Sequence, residues 1–262
     1  MNRSDIKIIF VDIDFTILNH FIHDFDYESI EALKEAQKSG VKVVISTSRP
    51  YDSMKHTNVL KYLKPDAIIC TNGAIVMAGN KLLRNHCYEE ELVCKTLAIC
   101  GKHHLVVEYS TEKERYFSIK RNHYCDKFFE VYDETDPGVK KFKHGNVSAM
   151  LLLAPEKFDE VLKKELSPKI SYIRFDTYCV DLQIERTFKS DGIKILLDYY
   201  GLNSDQALSI GDDIADTYMF KTTKYSIALG NGKDEVKKAA TFVTKHINEH
   251  GVKVGLKHYK VI

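Results

Sequence analysis

At 262 residues the chain is long enough for about two domains of ordinary size, each with a real core. Its 44% apolar and 29% charged residues are those of a globular protein, and a formal net charge of +1 removes any global electrostatic reason to expect nucleic acid or an acidic membrane as partner. The six cysteines form no C-x-x-C pair, which favours reduced thiols over a disulfide or zinc framework, and no uncharged apolar run approaches the ~18 residues of a membrane span. With no basic-then-apolar leader at the start, the expectation is a cytoplasmic protein whose partners are small molecules.

The first element is a strand at about 6–12, an apolar β-branched run that ends in two carboxylates one residue apart, Asp12 and Asp14. Such a run reads as a buried parallel strand, and ligands of open α/β sheets bind beyond the carboxyl ends of those strands. Two like charges buried side by side call for a cation or a shared proton. A loop rich in His and Asp follows, then a helix near 27–39 with Asp26 as N-cap and Gly40 just past its end. Next come a strand from Val41 to Ser46, a helix opened by Pro50 and running to about Leu63, and a strand from Asp66 to Cys70. This β-α-β-α-β order predicts a parallel sheet.

After Gly79 the alternation weakens. Segments at Leu105–Tyr109, Arg115–Ile119, Ala149–Leu153 and Tyr178–Ile184 look like strands of a different sheet, with helices near 89–101 and 156–166. From about residue 188 the first pattern resumes, with a helix from Asp191 to Tyr200 stopped by Gly201, a strand at Ala207–Ile210, another near Tyr225–Leu229, and helices near 233–239 and 247–257. The expected fold is therefore α/β, a Rossmann-like parallel-sheet core formed by 1–79 and 188–262, interrupted by an inserted α+β domain at 80–187. Short hinges are expected near 78–80 and 186–188.

Four strand ends bring polar groups to one rim: Asp12 with Asp14, Thr47 with Ser48 and Arg49, Asn72 with Gly73, and Asp212 with Asp216. Mg²⁺ prefers hard oxygen ligands and keeps several waters, so carboxylates converging from separate strands suit it, whereas no Cys/His cluster offers zinc a comparable home. The set has the character of a phosphoryl-transfer site.

These fragments, in this order, resemble the motifs of haloacid dehalogenase superfamily phosphatases of the Cof type, which carry a large cap between their second and third motifs. The residues that carry the likeness are Asp12-Ile13-Asp14-Phe15-Thr16, Ser46-Thr47-Ser48-Arg49-Pro50, Thr71-Asn72-Gly73-Ala74, Lys189-Ser190-Asp191-Gly192, Gly211-Asp212-Asp213-Ile214-Ala215-Asp216 and Ala228-Leu229-Gly230-Asn231. The resemblance implies that Asp12 attacks phosphorus to form an aspartyl-phosphate and that Asp14 acts as acid and base on leaving group and water. It implies that Thr47 through its hydroxyl and Ser48 through its N–H hold phosphoryl oxygens, and that Lys189 offsets charge. It further implies Mg²⁺ on the Asp12 carboxylate, the Asp14 carbonyl and Asp212, with Asp216 direct or through water. The implied activity is hydrolysis of small phosphorylated metabolites, sugar or cofactor phosphates, with substrate choice made by the cap.

Two positions depart from that pattern. Phe15 stands where relatives carry glycine, and Ala215 where they carry asparagine, a loss for which Asn231 or Asn72 could compensate. A phosphosugar mutase with the same nucleophile, or a module that binds a phosphometabolite without turnover, remain alternatives. His20 and His23 read as solvated loop histidines, the aromatic segment from Tyr124 to Phe129 as core of the inserted domain, and Lys140–His144 as a solvated face. Arg49 fits phosphate binding and a structural ion pair equally, and Asp213 fits a helix cap.

Overall fold

A computed structural model of the chain describes residues 5–184 and 187–262. It resolves into two compact units. One comprises the chain through Ser48, Asn58–Arg84 and Phe188–Ile262, the other Arg49–Thr57 and Asn85–Thr187.

The first unit is built on an eight-stranded sheet in the spatial order Phe242–Val243, Tyr225–Ala228, Ala207–Gly211, Ile8–Val11, Lys42–Ser46, Ala67–Cys70, Ile75–Ala78 and Lys81–Asn85. The first six are parallel, and the central strand Ile8–Val11 is fully buried, as its unbroken apolar run requires. Ile75–Ala78 pairs antiparallel with Ala67–Cys70, so the sheet continues, with a reversed strand, to the junction expected near 78–80 and beyond it. That continuation is why the compact unit runs to Arg84. The second junction, near 186–188, lies partly outside the described residues.

Local signals in this unit are obeyed. The Asp26 side chain accepts from Ser29 N at the start of the helix Tyr27–Lys38, and Gly40 follows its end at φ +89°. The helix Lys189–Tyr200 stops at Gly201, φ +64°. The helix expected from Pro50 to about Leu63 is instead two short helices, Tyr51–His56, which belongs to the second unit, and Val59–Tyr62 of the first, because Asn58 between them takes φ +62° and a left-handed residue cannot continue a right-handed helix. The tail helix breaks for the same reason at His250, φ +57°, into a turn at Ile247–Glu249 and a helix at Gly251–His258.

The second unit carries a five-stranded antiparallel sheet in the order Ile170–Asp176, Cys179–Ile184, Ala149–Leu153, Val106–Ser110 and Arg115–Phe117. Alternate residues serve its two faces. Val107, Tyr109, Leu152, Val180 and Leu182 pack with Leu92, Val93 and Leu162 of the helices Glu90–Lys102 and Asp159–Glu165. Val106, Phe117, Leu153 and Cys179 pack on the opposite face with Cys125 and Phe128 of the helix His123–Tyr132. That helix, to which the sequence reading assigned no element, is capped by Asn122 and makes the aromatic segment core.

The same unit buries a charge cluster. Arg115 Nη1 lies 3.1 Å from Glu108 and 2.7 Å from Glu134, and Arg49 Nη1 lies 2.6 Å from Glu134. Arg49 Nη2 also donates to Tyr132 O at 2.7 Å, so Arg49 is used as a structural ion pair. Burial outweighs Arg115, and with the charges of Glu134 and Asp52 pushes Glu108 up to about 7. Among the described residues no helix is long and apolar enough to cross a membrane.

Candidate active site

The central strand is flanked on one side by Lys42–Ser46 and on the other by Ala207–Gly211, so the chain leaves it in opposite directions. A crevice opens at such a switch point. Asp12 stands there, its N–H donating to Ile210 O at 3.0 Å and its side chain buried.

Lys189 meets it. Its Nζ donates to Asp12 Oδ1 and to Asp216 Oδ1, each at 2.7 Å, and the lysine is 3% exposed. Two features bring its helix in so closely. Gly73, at φ +97°, passes beneath the Phe188 carbonyl, where an added Cβ would lie 2.4 Å from that oxygen. Phe188 in turn stacks on Tyr218 with centroids 4.4 Å apart, which ties the start of the lysine helix to the turn that carries Asp216.

Asp216 is fully buried and has both oxygens engaged, Oδ1 by Lys189 and Oδ2 by the N–H groups of Asp212 (2.9 Å) and Asp213 (3.0 Å). Gly211 is required by this fold-back, since a Cβ there would meet Asp216 Oδ2 at 2.2 Å. Asp212 accepts from Thr16 Oγ1 at 2.7 Å. Asp213 caps the following turn through Ile214 N and pairs with Lys233 at 3.0 Å, the structural role its position suggested.

Asp12, Asp212 and Asp216 each place a carboxylate oxygen within 4.8 Å of the others. One lysine faces three acids. Burial, opposed by Lys189 and reinforced by Asp216 and Asp14, pushes Asp12 up to about 8. Burial with the charges of Asp216 and Asp12 also raises Asp212 well above the carboxylate range, against the Thr16 hydrogen bond. Burial works to lower Lys189, but Asp12 and Asp216 outweigh it and hold the amine charged. This excess of buried negative charge on hard oxygen donors is the chemistry of a divalent cation site.

Asp14 lies outside that group. Its Oδ1 is 2.6 Å from His20 Nε2. Thr47 and Ser48 follow the neighbouring strand, whose Ile45 is in register with Val11, and so reach the same rim one strand over from Asp12. Thr47 is buried and Ser48 exposed; Asn72 N donates to Thr47 O at 3.2 Å, so the Thr71–Gly73 turn shapes this loop.

Residues 9–256 match the family model described as haloacid dehalogenase-like hydrolase. The chain belongs to that family. It is 24% identical to phosphoglycolate phosphatase 1 of Saccharolobus solfataricus, over 95% of this chain and 93% of that protein. A solved structure described as one of a phosphoryl-transfer superfamily superimposes with a TM-score of 0.89 at 25% identity, covering 98% of this chain and 100% of that one. The HAD subclass IIB sugar phosphatase BT4131 shares the fold with a TM-score of 0.85 at 24% identity, over 98% and 100% of the two chains.

As a haloacid dehalogenase-like hydrolase, the chain shows contacts at its site that motif reading passed over. Thr16, within the first motif, donates to Asp212. Asn231, considered as a replacement for the missing amide at Ala215, is committed to backbone: Nδ2 donates to Phe15 O at 2.8 Å and Oδ1 accepts from Ile247 N at 2.9 Å. His20, read as solvated, is 6% exposed, while His23 is exposed as expected. The signal for His20 was its place in a turn between two short strands, Leu18–Asn19 and Asp24–Phe25, that fold it back towards Asp14.

Proposed function

We propose that the chain is a Mg²⁺-dependent phosphatase that hydrolyses small phosphorylated metabolites through an aspartyl-phosphate on Asp12. The observation that carries the reading is the buried Asp12–Lys189 contact at the sheet switch point, surrounded by an acidic group that one lysine cannot neutralise. Asp12 and Asp212 would hold the cation with the Asp14 carbonyl, and Asp216 completes the acidic group. When bound, the cation would screen the phosphate from the carboxylates around it.

An Asp12 carboxylate oxygen forms the bond to phosphorus as the bond to the leaving alkoxide breaks, and Asp14 gives that alkoxide its proton. Water then loses a proton to Asp14, attacks phosphorus and releases inorganic phosphate, returning Asp12 as a carboxylate. Lys189 restrains the nucleophile at Oδ1, while Thr47 and Ser48, at the adjacent strand end, would receive phosphoryl oxygens. An acid at position 14 suits alkoxide leaving groups, and the kinship with a phosphoglycolate phosphatase points to the same class of compound.

The test is phosphate release from hexose phosphates, phosphoglycolate and cofactor phosphates, with Mg²⁺ or EDTA, by wild type and Asp12→Asn. Release that needs Mg²⁺ and vanishes in the variant is expected. Release that survives in Asp12→Asn would overturn the aspartyl-phosphate.

A further inference from the structure

The contact between Asp14 and His20 belongs to a larger local arrangement. Phe15, between the two acids and the turn, sits at φ +54°, a left-handed conformation that is unfavourable for a bulky residue. Its backbone is held on both sides, the N–H donating to Leu18 O at 2.8 Å and the carbonyl accepting from Asn231. In that conformation its ring packs against His20 with centroids 4.8 Å apart, and against Phe21 at 5.4 Å. The turn bearing His20 is itself anchored, since Asn19 Nδ2 donates to Asn248 Oδ1 at 2.6 Å and Asn19 Oδ1 accepts from Phe21 N at 3.1 Å.

A glycine at position 15 would adopt the same backbone without strain but would offer no ring. The strained phenylalanine is thus packed against the histidine that meets the carboxyl at position 14. We propose that His20, braced by Phe15, is a positioning residue for Asp14, setting the direction in which its carboxyl faces the leaving group. His20 acts through Asp14, whose Oδ1 it meets. The inference rests on the phosphatase reading, in which Asp14 delivers the proton.

Protonation matters most for a poor leaving group, and this supplies a readout that loss of general stability would not move. Turnover of a hexose 6-phosphate and of p-nitrophenyl phosphate should be compared in wild type, His20→Ala and His20→Gln. In kcat/KM, which reports the steps through phosphoenzyme formation where the leaving group departs, the alanine variant is expected to lose more than about 10-fold on the sugar phosphate and less than about 3-fold on the nitrophenyl ester. Glutamine, whose amide can donate or accept at similar reach, is expected to recover much of the loss. Equal losses on both substrates, or no loss on either, would overturn the proposal. A wild type inactive on both compounds would count against the phosphatase reading, and the positioning role is then read directly. Crystal structures of wild type and His20→Ala should show the Asp14 carboxyl redirected in the variant; an unchanged rotamer rejects the role.

Discussion

Lys189 Nζ bridges Asp12 Oδ1 and Asp216 Oδ1 at 2.7 Å each, so a single buried amine holds the candidate nucleophile and the innermost acid of the site. Replacing it with Met leaves three buried carboxylates without their cation. Breaking such a pair costs about 3–5 kcal/mol, and loss of a charge that restrains the nucleophile costs about 100-fold or more in kcat. Lys189→Met is therefore expected to be less stable in EDTA than wild type by several kcal/mol, with the gap narrowing in saturating Mg²⁺. Denaturant melts with and without the ion check this. A gap that Mg²⁺ leaves unchanged would show that the acids do not share a cation.

Thr16 and Asp212 join the first motif to the Gly211–Asp216 motif through one 2.7 Å hydrogen bond. Asp212→Asn removes a charged oxygen from the acidic group and should abolish measurable Mg²⁺ affinity or nearly so. Thr16→Val removes only the bond that orients that oxygen, for which about 10-fold weaker binding is expected. Calorimetric titration of Mg²⁺ into the three proteins ranks them, and equal affinity for wild type and Asp212→Asn would take Asp212 out of the site.

Glu108 gives the second unit a pH dependence of defined sign. Its ordinary value is 4.5, and burial raises it to about 7 against the pull of Arg115, while Glu134 and Asp52 add to the rise. Between those limits the folded chain holds a proton that the unfolded chain has released. Stability from this group is therefore full below about pH 4.5 and is lost as pH rises through 7, on the order of 1 kcal/mol per pH unit at most. Glu108→Gln removes that slope. Denaturation curves from about pH 5 to pH 8 should shift in favour of the variant relative to wild type, and parallel pH profiles would contradict the buried, protonated Glu108.

Phe15 separates backbone strain from ring packing. Phe15→Ala and Phe15→Gly both delete the ring, but only glycine relieves φ +54°. The glycine variant is expected to be the more stable of the two by about 1 kcal/mol. An alanine variant as stable as the glycine one would mean that the left-handed conformation is not kept.

The sequence by itself determined the strand ends and their acids, because an apolar β-branched run closed by Asp12 and Asp14, or the short run Ala207–Ile210 closed by Gly211 and Asp212, is a local pattern that the sheet simply reads out. It also determined the caps at Asp26, Gly40 and Gly201, whose chemistry lies within a few residues of each helix end. Only the tertiary structure decided which of those acids converge, Asp12 with Asp212 and Asp216. Lys189 and Asp12 are 177 positions apart, and Thr16 and Asp212 are 196 apart, so their contacts depend on which strands are neighbours and on the close approach that Gly73 and Gly211 permit. The break at Asn58, the burial of Arg115 between Glu108 and Glu134 and the turn of His20 onto Asp14 were likewise decided there. In each, long-range packing or pairing overrides what the neighbouring residues would do alone.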